Sequence, residues 1–195
     1  MSVALTATEA IRLVLQRGRS HGWRSVNRTQ AAKLLYFIDL RAVADPQFEH
    51  PITTVDWIWD NYGPFSREIQ RALDSLAESG TVVETQRPTG VGTTEYTYAL
   101  AKSTSATDAP VESRVVDIID AVLDEHRGWS ATKLRDAAYA TPPMLRVVHS
   151  GHRGDALDLF AGTDVENSAI RHSAATIVPD DFDVEAALSS LANTR

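Results

Sequence analysis

The 195-residue chain contains no cysteine, which excludes disulfide bonds and thiolate metal sites. No apolar run approaches the roughly 20 residues that a membrane-spanning helix needs. The N-terminal segment MSVALTATEAIRLVLQRG lacks the basic start, apolar block and small-residue cleavage site of a signal peptide. We therefore expect a cytoplasmic protein that makes no contact with a membrane.

The sequence also lacks the short motifs that identify common kinds of catalysis. No serine lies in a G-x-S-x-G elbow, and neither a Walker loop nor a G-x-G-x-x-G fingerprint occurs. One set of potential metal ligands recurs at every third residue: His149, His152, Asp155 and Asp158. Glycines at 151 and 154 separate them and favour a polar loop over a helix. We expect no enzyme activity, no cofactor and no bound metal.

The net charge of −7 is unevenly distributed along the chain. Residues 1–100 carry ten basic and eleven acidic side chains, whereas residues 101–195 carry nine and fifteen. Residues 10–41 hold seven basic side chains against one acid. Such a stripe can face phosphates or an acidic partner, and it can equally be an ordinary solvated helix surface. The candidate partner or nucleic-acid contacts are four arginines: Arg17, Arg19, Arg24 and Arg28.

Two helices are predicted in the first 45 residues. Thr6 or Thr8 can cap the first helix. Asn27 precedes Gln30 by three residues, which is the spacing of a capping box at the start of the second. Apolar residues then repeat at intervals of three and four and predict a core-facing stripe: Ala31, Leu34, Leu35, Ile38 and Ala42.

Residues 51–60 are predicted to form a strand, because β-branched and aromatic side chains dominate them. Trp57 and Trp59 would share one face, either in the core or as an exposed anchor for a partner. The segment Asn61-Tyr62-Gly63-Pro64 is predicted to be a turn. We expect Pro64 in the first turn of a helix that ends at Gly80.

Two strands at 81–84 and 95–100 are predicted to form a β-hairpin around a loop with proline and glycine. Two further helices are expected after a polar linker at 102–109, the second capped by Ser130. The elements predict an α+β, mainly helical fold: a helical bundle with a small antiparallel sheet or hairpin, assembled like a winged helix. We expect one helical domain at 1–145 and an acidic C-terminal extension with a short helix at 146–195.

Four segments occur in a characteristic order: KLLYFIDLRA at 33–42, the Trp-rich strand, YGPFSREIQRALDSL at 62–76 and WSATKLRDAAYATPPM at 129–144. Together they resemble the Panacea domain, a family also described as phage-associated or SocA-like proteins. The matching residues, which we interpret as mainly structural, are Lys33, Tyr36, Asp39, Trp57, Tyr62, Gly63, Pro64 and Tyr139. The chain departs from the family pattern at 41–43, where a histidine is common, and at Met144, where a tryptophan is common.

The resemblance implies a largely helical fold and an antitoxin that neutralises a cognate toxin protein by direct binding. Some members of the family act as proteolytic adaptors instead. The order of the elements and the basic stripe favour a different function, that of a winged-helix DNA-binding regulator. However, the candidate recognition helix at 64–79 carries two arginines against three acids, which weakens its contact with phosphates. The expected partner is the toxin; a second copy of the chain and DNA of its own promoter are further candidates, since an antitoxin can also bind its own promoter.

Overall fold

The computed structural model describes residues 4–48, 50–89, 92–102 and 111–163. Within them lie six helices: α1 (Ala7–Gly18), α2 (Arg28–Val43), α3 (Arg67–Glu78), α4 (Ser113–Glu125), α5 (Ala131–Tyr139) and α6 (Pro142–Ser150). The strands are β1 (Val26–Asn27), β2 (Ile58–Asp60), β3 (Gly63–Phe65), β4 (Val82–Pro88) and β5 (Thr94–Leu100). The predicted α+β, mainly helical fold is confirmed. No helix in the described part of the chain is long and apolar enough to span a membrane.

Capping boxes start the first two helices. The Thr6 hydroxyl accepts the Glu9 backbone N–H, and the Glu9 carboxylate accepts the Thr6 backbone N–H over 2.8 Å. Asn27 and Gln30 exchange the same pair of bonds at 2.8 and 3.0 Å. Each box satisfies N–H groups that the first helical turn leaves without a partner. The cap predicted at Asn27 is therefore confirmed, and of the two candidates Thr6 and Thr8 it is Thr6 that caps the first helix.

A three-stranded antiparallel sheet has the order β1-β5-β4. Val82 pairs with Leu100, and the hairpin ladder continues to Pro88 opposite Thr94, so the strands are longer than predicted. Strand β1 pairs with β5 through Val26 and Tyr98, a contact that the sequence pattern did not indicate. A hairpin thus follows α3, as the sequence predicts, while the winged-helix assembly stays a prediction.

The predicted strand at 51–60 is regular only at Ile58–Asp60. The first half of the predicted strand is extended, but its hydrogen bonds go to Leu5 and Asp39 and not to a neighbouring strand. Leu5 bridges this half by accepting and donating backbone hydrogen bonds, and the Asp39 carboxylate accepts the Thr53 backbone N–H over 2.9 Å. Because these partners replace a neighbouring strand, the prediction of a continuous strand was wrong.

The predicted position of Pro64 was also wrong. Pro64 lies in β3, opposite Trp59 in a two-stranded sheet, and not in a helical turn. Helix α3 begins two residues after β3, and the Ser66 hydroxyl caps it by accepting the Glu68 backbone N–H over 3.2 Å. Gly80 ends that helical segment with a φ of +71°, as its sequence position predicts.

The last described segment of the chain packs against residues of the first half of the protein. Two prolines after Thr141 open α6, a helix that the sequence analysis did not predict. Residues 151–163 then pack beside β2, where Leu157 donates its backbone N–H to the Trp57 carbonyl over 2.9 Å. Most of the predicted linker at 102–109 and the predicted helix at 183–192 lie outside the described residues.

Helix α2 lies at the centre of the fold. It packs against α1, α3, α4 and α5 and against parts of both sheets. Its apolar residues, such as Leu34, Leu35 and Ile38, are buried. Because the helix is surrounded, polar residues on its remaining faces are buried as well, and each of them needs a partner.

Candidate functional site

Three polar residues of α2 occur at intervals of three and lie along one side of the helix: Lys33, Tyr36 and Asp39. Each is at most 2% exposed to solvent. This side of α2 faces the segment from Thr53 to Pro64 and the end of α5. The hydrogen bonds of the three side chains therefore connect three separate parts of the chain.

Asp39 holds the extended segment that precedes β2. Its carboxylate accepts the backbone N–H of Thr53 over 2.9 Å, the hydroxyl of Thr53 over 2.6 Å and the indole N–H of Trp57 over 2.9 Å. Burial raises the pKa of Asp39 to about 6, and the hydrogen bonds from Thr53 and Trp57 limit that rise. A buried carboxylate with this many donors positions its neighbours.

Tyr36 connects α2 to the start of α6. Its hydroxyl lies 2.7 Å from the Thr141 hydroxyl. Because the Thr141 hydroxyl donates its own hydrogen to the Ala138 carbonyl, Tyr36 donates in this pair. The Tyr36 ring also packs edge-on against Trp57 with a centroid distance of 5.4 Å. Burial raises the pKa of Tyr36 above its ordinary value, so the phenol stays neutral and keeps its donor.

Lys33 fixes the β2–β3 turn to α2. Its ammonium group donates to the Pro64 carbonyl over 2.6 Å. Burial lowers the pKa of Lys33 to about 7, Asp60 opposes that change and the positive charge of Arg135 adds to it. An anion that comes close to Lys33 would favour its charged form and raise this pKa.

Gly63 and Tyr139 complete the turn. Gly63 has a φ of +86°, and a Cβ at this position would lie only 3.3 Å from Cε2 of Tyr139. The Tyr139 hydroxyl makes long hydrogen bonds to the carbonyls of Asp60 and Asn61, at 3.4 and 3.3 Å. The aromatic ring therefore packs directly on the backbone of the turn.

Seven of the eight motif residues predicted from the sequence lie together along one side of α2, in two contacting groups. We call them the motif cluster: Asp39, Trp57 and Tyr36 form one group, and Lys33, Pro64, Gly63 and Tyr139 form the other. The eighth residue, Tyr62, projects from the same turn and is 66% exposed. The interpretation of the eight residues as mainly structural stays a prediction, and the exposed position of Tyr62 fits it least.

A family model described as antitoxin SocA-like, Panacea domain, matches residues 32–143. The match covers more than half of the chain and includes all eight motif residues. The chain belongs to this family. No curated protein and no solved structure matches it. Membership of the Panacea family therefore rests on the family model together with the motif residues that the structure assembles.

A surface cavity of about 260 Å³ opens beside the motif cluster of this Panacea domain. The start of α2, the β2–β3 hairpin and the start of α3 line it. We call it the Lys33 pocket, after the residue on its inner wall, and its polar lining includes Arg28, Lys33, Asp60, Tyr62 and Gln70. Sequence reasoning missed this pocket because its walls come from three elements whose packing no local pattern specifies.

A second groove, of about 340 Å³, lies between α2, α4 and α5. Its lining is mainly aromatic and aliphatic, with His126 stacked on Phe37 at a centroid distance of 4.5 Å. The Nδ1 atom of His126 is bonded to the Val122 carbonyl over 2.8 Å. This groove offers less polar chemistry for recognition than the Lys33 pocket does.

Two of the four candidate arginines form ion pairs within the domain. Arg17 pairs with Asp120 on α4, and Arg28 pairs with Asp74 on α3 over 2.8 Å. Arg19 donates to the Leu100 carbonyl over 2.6 Å, whereas Arg24 is exposed. These ion pairs neutralise part of the positive charge of the basic stripe. The role of the four arginines as partner contacts stays a prediction.

The two carboxylates considered as metal ligands have other partners. Asp155 accepts the backbone N–H of His152 over 2.7 Å, and Asp158 forms an ion pair with Arg146 over 3.1 Å. In the described part of the chain, no group of three or more histidine and carboxylate side chains is arranged to hold a metal ion.

Proposed function

We propose that this Panacea domain is an antitoxin that neutralises a cognate toxin protein by direct binding and catalyses no reaction. Membership of the SocA-like antitoxin family is the observation that supports it most strongly. The motif cluster is consistent with this function, because its polar groups bond to one another and to the backbone. Such bonds hold a surface rigid and thereby lower the entropic cost of binding.

We place the centre of the toxin interface at the β2–β3 turn. Tyr62 is a large aromatic side chain that is 66% exposed on a turn held by Lys33 and Tyr139. Tyrosines on rigid backbones are frequent anchors of protein interfaces. Arg153 donates to the Asn61 side chain and so fixes the residue before Tyr62.

Co-expression with the protein encoded by the neighbouring gene tests the function. We expect the neighbour to arrest growth when expressed alone, and the tagged domain to restore growth and to retain the neighbour in a purified complex. Tyr62→Ala should weaken the complex, whereas Val83→Ala should not, because Val83 is 53% exposed on β4 and away from the turn. A neighbour that is harmless alone and does not co-purify would refute the proposal.

The adaptor alternative makes a different prediction about the amount of toxin. Direct neutralisation leaves the toxin intact in the complex, whereas an adaptor shortens its lifetime. A pulse-chase measurement of toxin in cells with and without the domain separates the two. A toxin lifetime that falls several-fold in the presence of the domain would favour the adaptor.

The DNA-binding alternative draws its support from the basic stripe. Because Arg17 and Arg28 are paired with Asp120 and Asp74, fewer cations face outward than the sequence suggests. DNA affinity depends on the number of phosphates that are neutralised. We therefore expect no retardation of promoter DNA by micromolar domain at low salt. Sedimentation of the same sample would report whether the domain forms the predicted homo-oligomer.

A further inference from the structure

The ammonium group of Lys33 has more donors than the structure uses. It carries three N–H groups, and among the described residues its hydrogen bond goes to the Pro64 carbonyl alone. The charge of Asp60 raises the pKa of Lys33, but no ion pair joins these two described residues. Lys33 is nevertheless only 2% exposed. Since buried donors in folded proteins are normally bonded, this group has capacity for a further acceptor.

The pocket in front of Lys33 has the size of a side chain. Its volume of about 260 Å³ lies below the roughly 300–1,000 Å³ of cavities that bind drug-sized ligands. Tyr62 lines the pocket and is also the most exposed large hydrophobic residue in the described part of the chain. A partner that covers Tyr62 therefore reaches the pocket with a neighbouring side chain.

The charges around the pocket favour an anion. Two basic residues, Lys33 and Arg28, line the pocket, and one carboxylate, Asp60, lines it as well. Arg135 adds positive potential at Lys33. Arg28 already forms an ion pair with Asp74 and donates to the Tyr98 hydroxyl, whereas among the described residues Lys33 has no ion pair, so Lys33 is the basic group whose charge is left to be matched. In a chain of net charge −7, this is a locally positive recess. Complementary charge at an interface improves specificity and the rate of association.

We propose that the Lys33 pocket receives an aspartate or glutamate side chain of the partner protein, whose carboxylate accepts hydrogen bonds from the Lys33 ammonium. The inference rests on the proposed toxin binding and names the chemistry of one contact within it. The occupant is a side chain of the partner protein. A second copy of the domain and a free metabolite are the alternatives that the experiment distinguishes.

Proton uptake is the signature of this contact. A carboxylate close to Lys33 favours its charged form and raises its pKa above about 7. Binding therefore takes up a proton and weakens as the pH rises above 7. The charged or titratable groups that face Lys33 are Asp60 from β2, Arg28 from its own helix, and Arg135 and Tyr139 from α5.

A small carboxylate probe tests the pocket without the toxin. The chain contains three lysines, so ¹³Cε-labelled lysine gives three NMR signals, and Lys33→Met identifies the signal of Lys33. We expect millimolar N-acetyl-aspartate N-methylamide to shift that signal saturably and to raise the pKa by about one unit or more. The asparagine analogue, which has the same shape without the charge, should have no effect. An absent shift at Lys33, or equal shifts with both probes, would overturn the proposal.

The affinity of the domain for its partner protein provides a second test of the proposal. Wild-type domain and Lys102→Met, a matched exposed lysine, should bind the neighbour-encoded partner equally, and Lys33→Met should bind at least about tenfold more weakly. Gln70→Trp fills the pocket from α3 and leaves Lys33 in place, so it should also lose binding even if Lys33→Met fails to fold. If Lys33→Met folds and binds the partner with unchanged affinity, this inference is wrong, while the proposed antitoxin function is unaffected.

The remaining outcomes distinguish between the possible occupants of the Lys33 pocket. If wild-type domain retains no partner, the proposed function fails, and the probe experiment alone judges the pocket. If Lys33→Met changes the sedimentation of the isolated domain and leaves partner affinity unchanged, a second copy occupies the pocket and the proposal is wrong. If the probe binds Lys33 and yet does not compete with the partner at saturation, the pocket serves a free carboxylate and the proposal is wrong in that case too.

Discussion

Trp57 donates its indole N–H to the carboxylate of Asp39 over 2.9 Å. Asp39 is completely buried in α2, and Trp57 lies in the extended segment that leads to β2. The same carboxylate accepts two hydrogen bonds from Thr53. One side chain of the central helix thus replaces the strand that would otherwise hold this segment. The turn that carries Tyr62 follows five residues after Trp57, so its position depends on this contact.

Asp39→Ala should destabilise the domain by about 2–5 kcal/mol, because three buried donors lose their acceptor and a cavity forms. Urea unfolding measures the change. Glu125→Ala is the control, since Glu125 pairs with Arg41 on the surface with more than half of its side chain exposed. That control should cost less than about 1 kcal/mol. Similar losses in the two variants would contradict the role of Asp39.

Stability should rise with pH between about 7 and 10. The pKa of Lys33 is lowered from 10.5 to about 7 in the folded domain, so in this window the unfolded chain binds more protons than the folded one. Raising the pH then favours folding by at most about 1.4 kcal/mol per pH unit. Above pH 10 the sign reverses, because burial raises the pKa values of Tyr36 and Tyr98 and the unfolded chain loses those protons first.

Urea unfolding at pH 7, 8 and 9 checks this dependence. Lys33→Met should remove most of the slope, and Lys102→Met, at an exposed lysine, should keep it. An unchanged slope in Lys33→Met would assign the pH dependence to other groups. The same variants serve the binding experiments, so stability and affinity can be compared directly.

The features that the sequence predicted well are local ones. The cap at Thr6, the capping box at Asn27 and the helix end at Gly80 depend on residues within four positions of one another. The apolar stripe of α2 was also predicted correctly, because helical periodicity alone places Leu34 and Ile38 on a buried side. Local rules of this kind need no knowledge of what packs nearby.

The features that were missed depend on distant partners. Residues 51–57 have the composition of a strand, but Asp39 and Leu5 provide their hydrogen bonds. Pro64 suits the first turn of a helix, yet its carbonyl is bound by Lys33 from α2. The Lys33 pocket likewise requires α2, the β2–β3 hairpin and α3 in their final positions. A single sequence shows that these polar residues are present and does not show which of them meet.

Gly63→Ala should be more harmful than Gly80→Ala. Both glycines have positive φ, and a side chain in that conformation costs about 1–2 kcal/mol at either position. At Gly63 the new Cβ would also lie 3.3 Å from the Tyr139 ring, whereas at Gly80 nothing lies within 4 Å. The difference between the two losses in urea unfolding measures the contact with Tyr139. Equal losses would mean that the ring moves aside freely.

Tyr36→Phe should cost about 0.5–1.5 kcal/mol by removing the hydrogen bond to Thr141 while leaving the ring on Trp57 in place. Tyr62→Phe is the matched control and should change stability little, because that side chain is 66% exposed. Thr141→Val completes a double-mutant cycle with Tyr36→Phe, and the coupling energy isolates the bond between α2 and the start of α6. If the two losses are simply additive, the hydroxyls do not stabilise each other, and the link between Tyr36 and Thr141 contributes only packing.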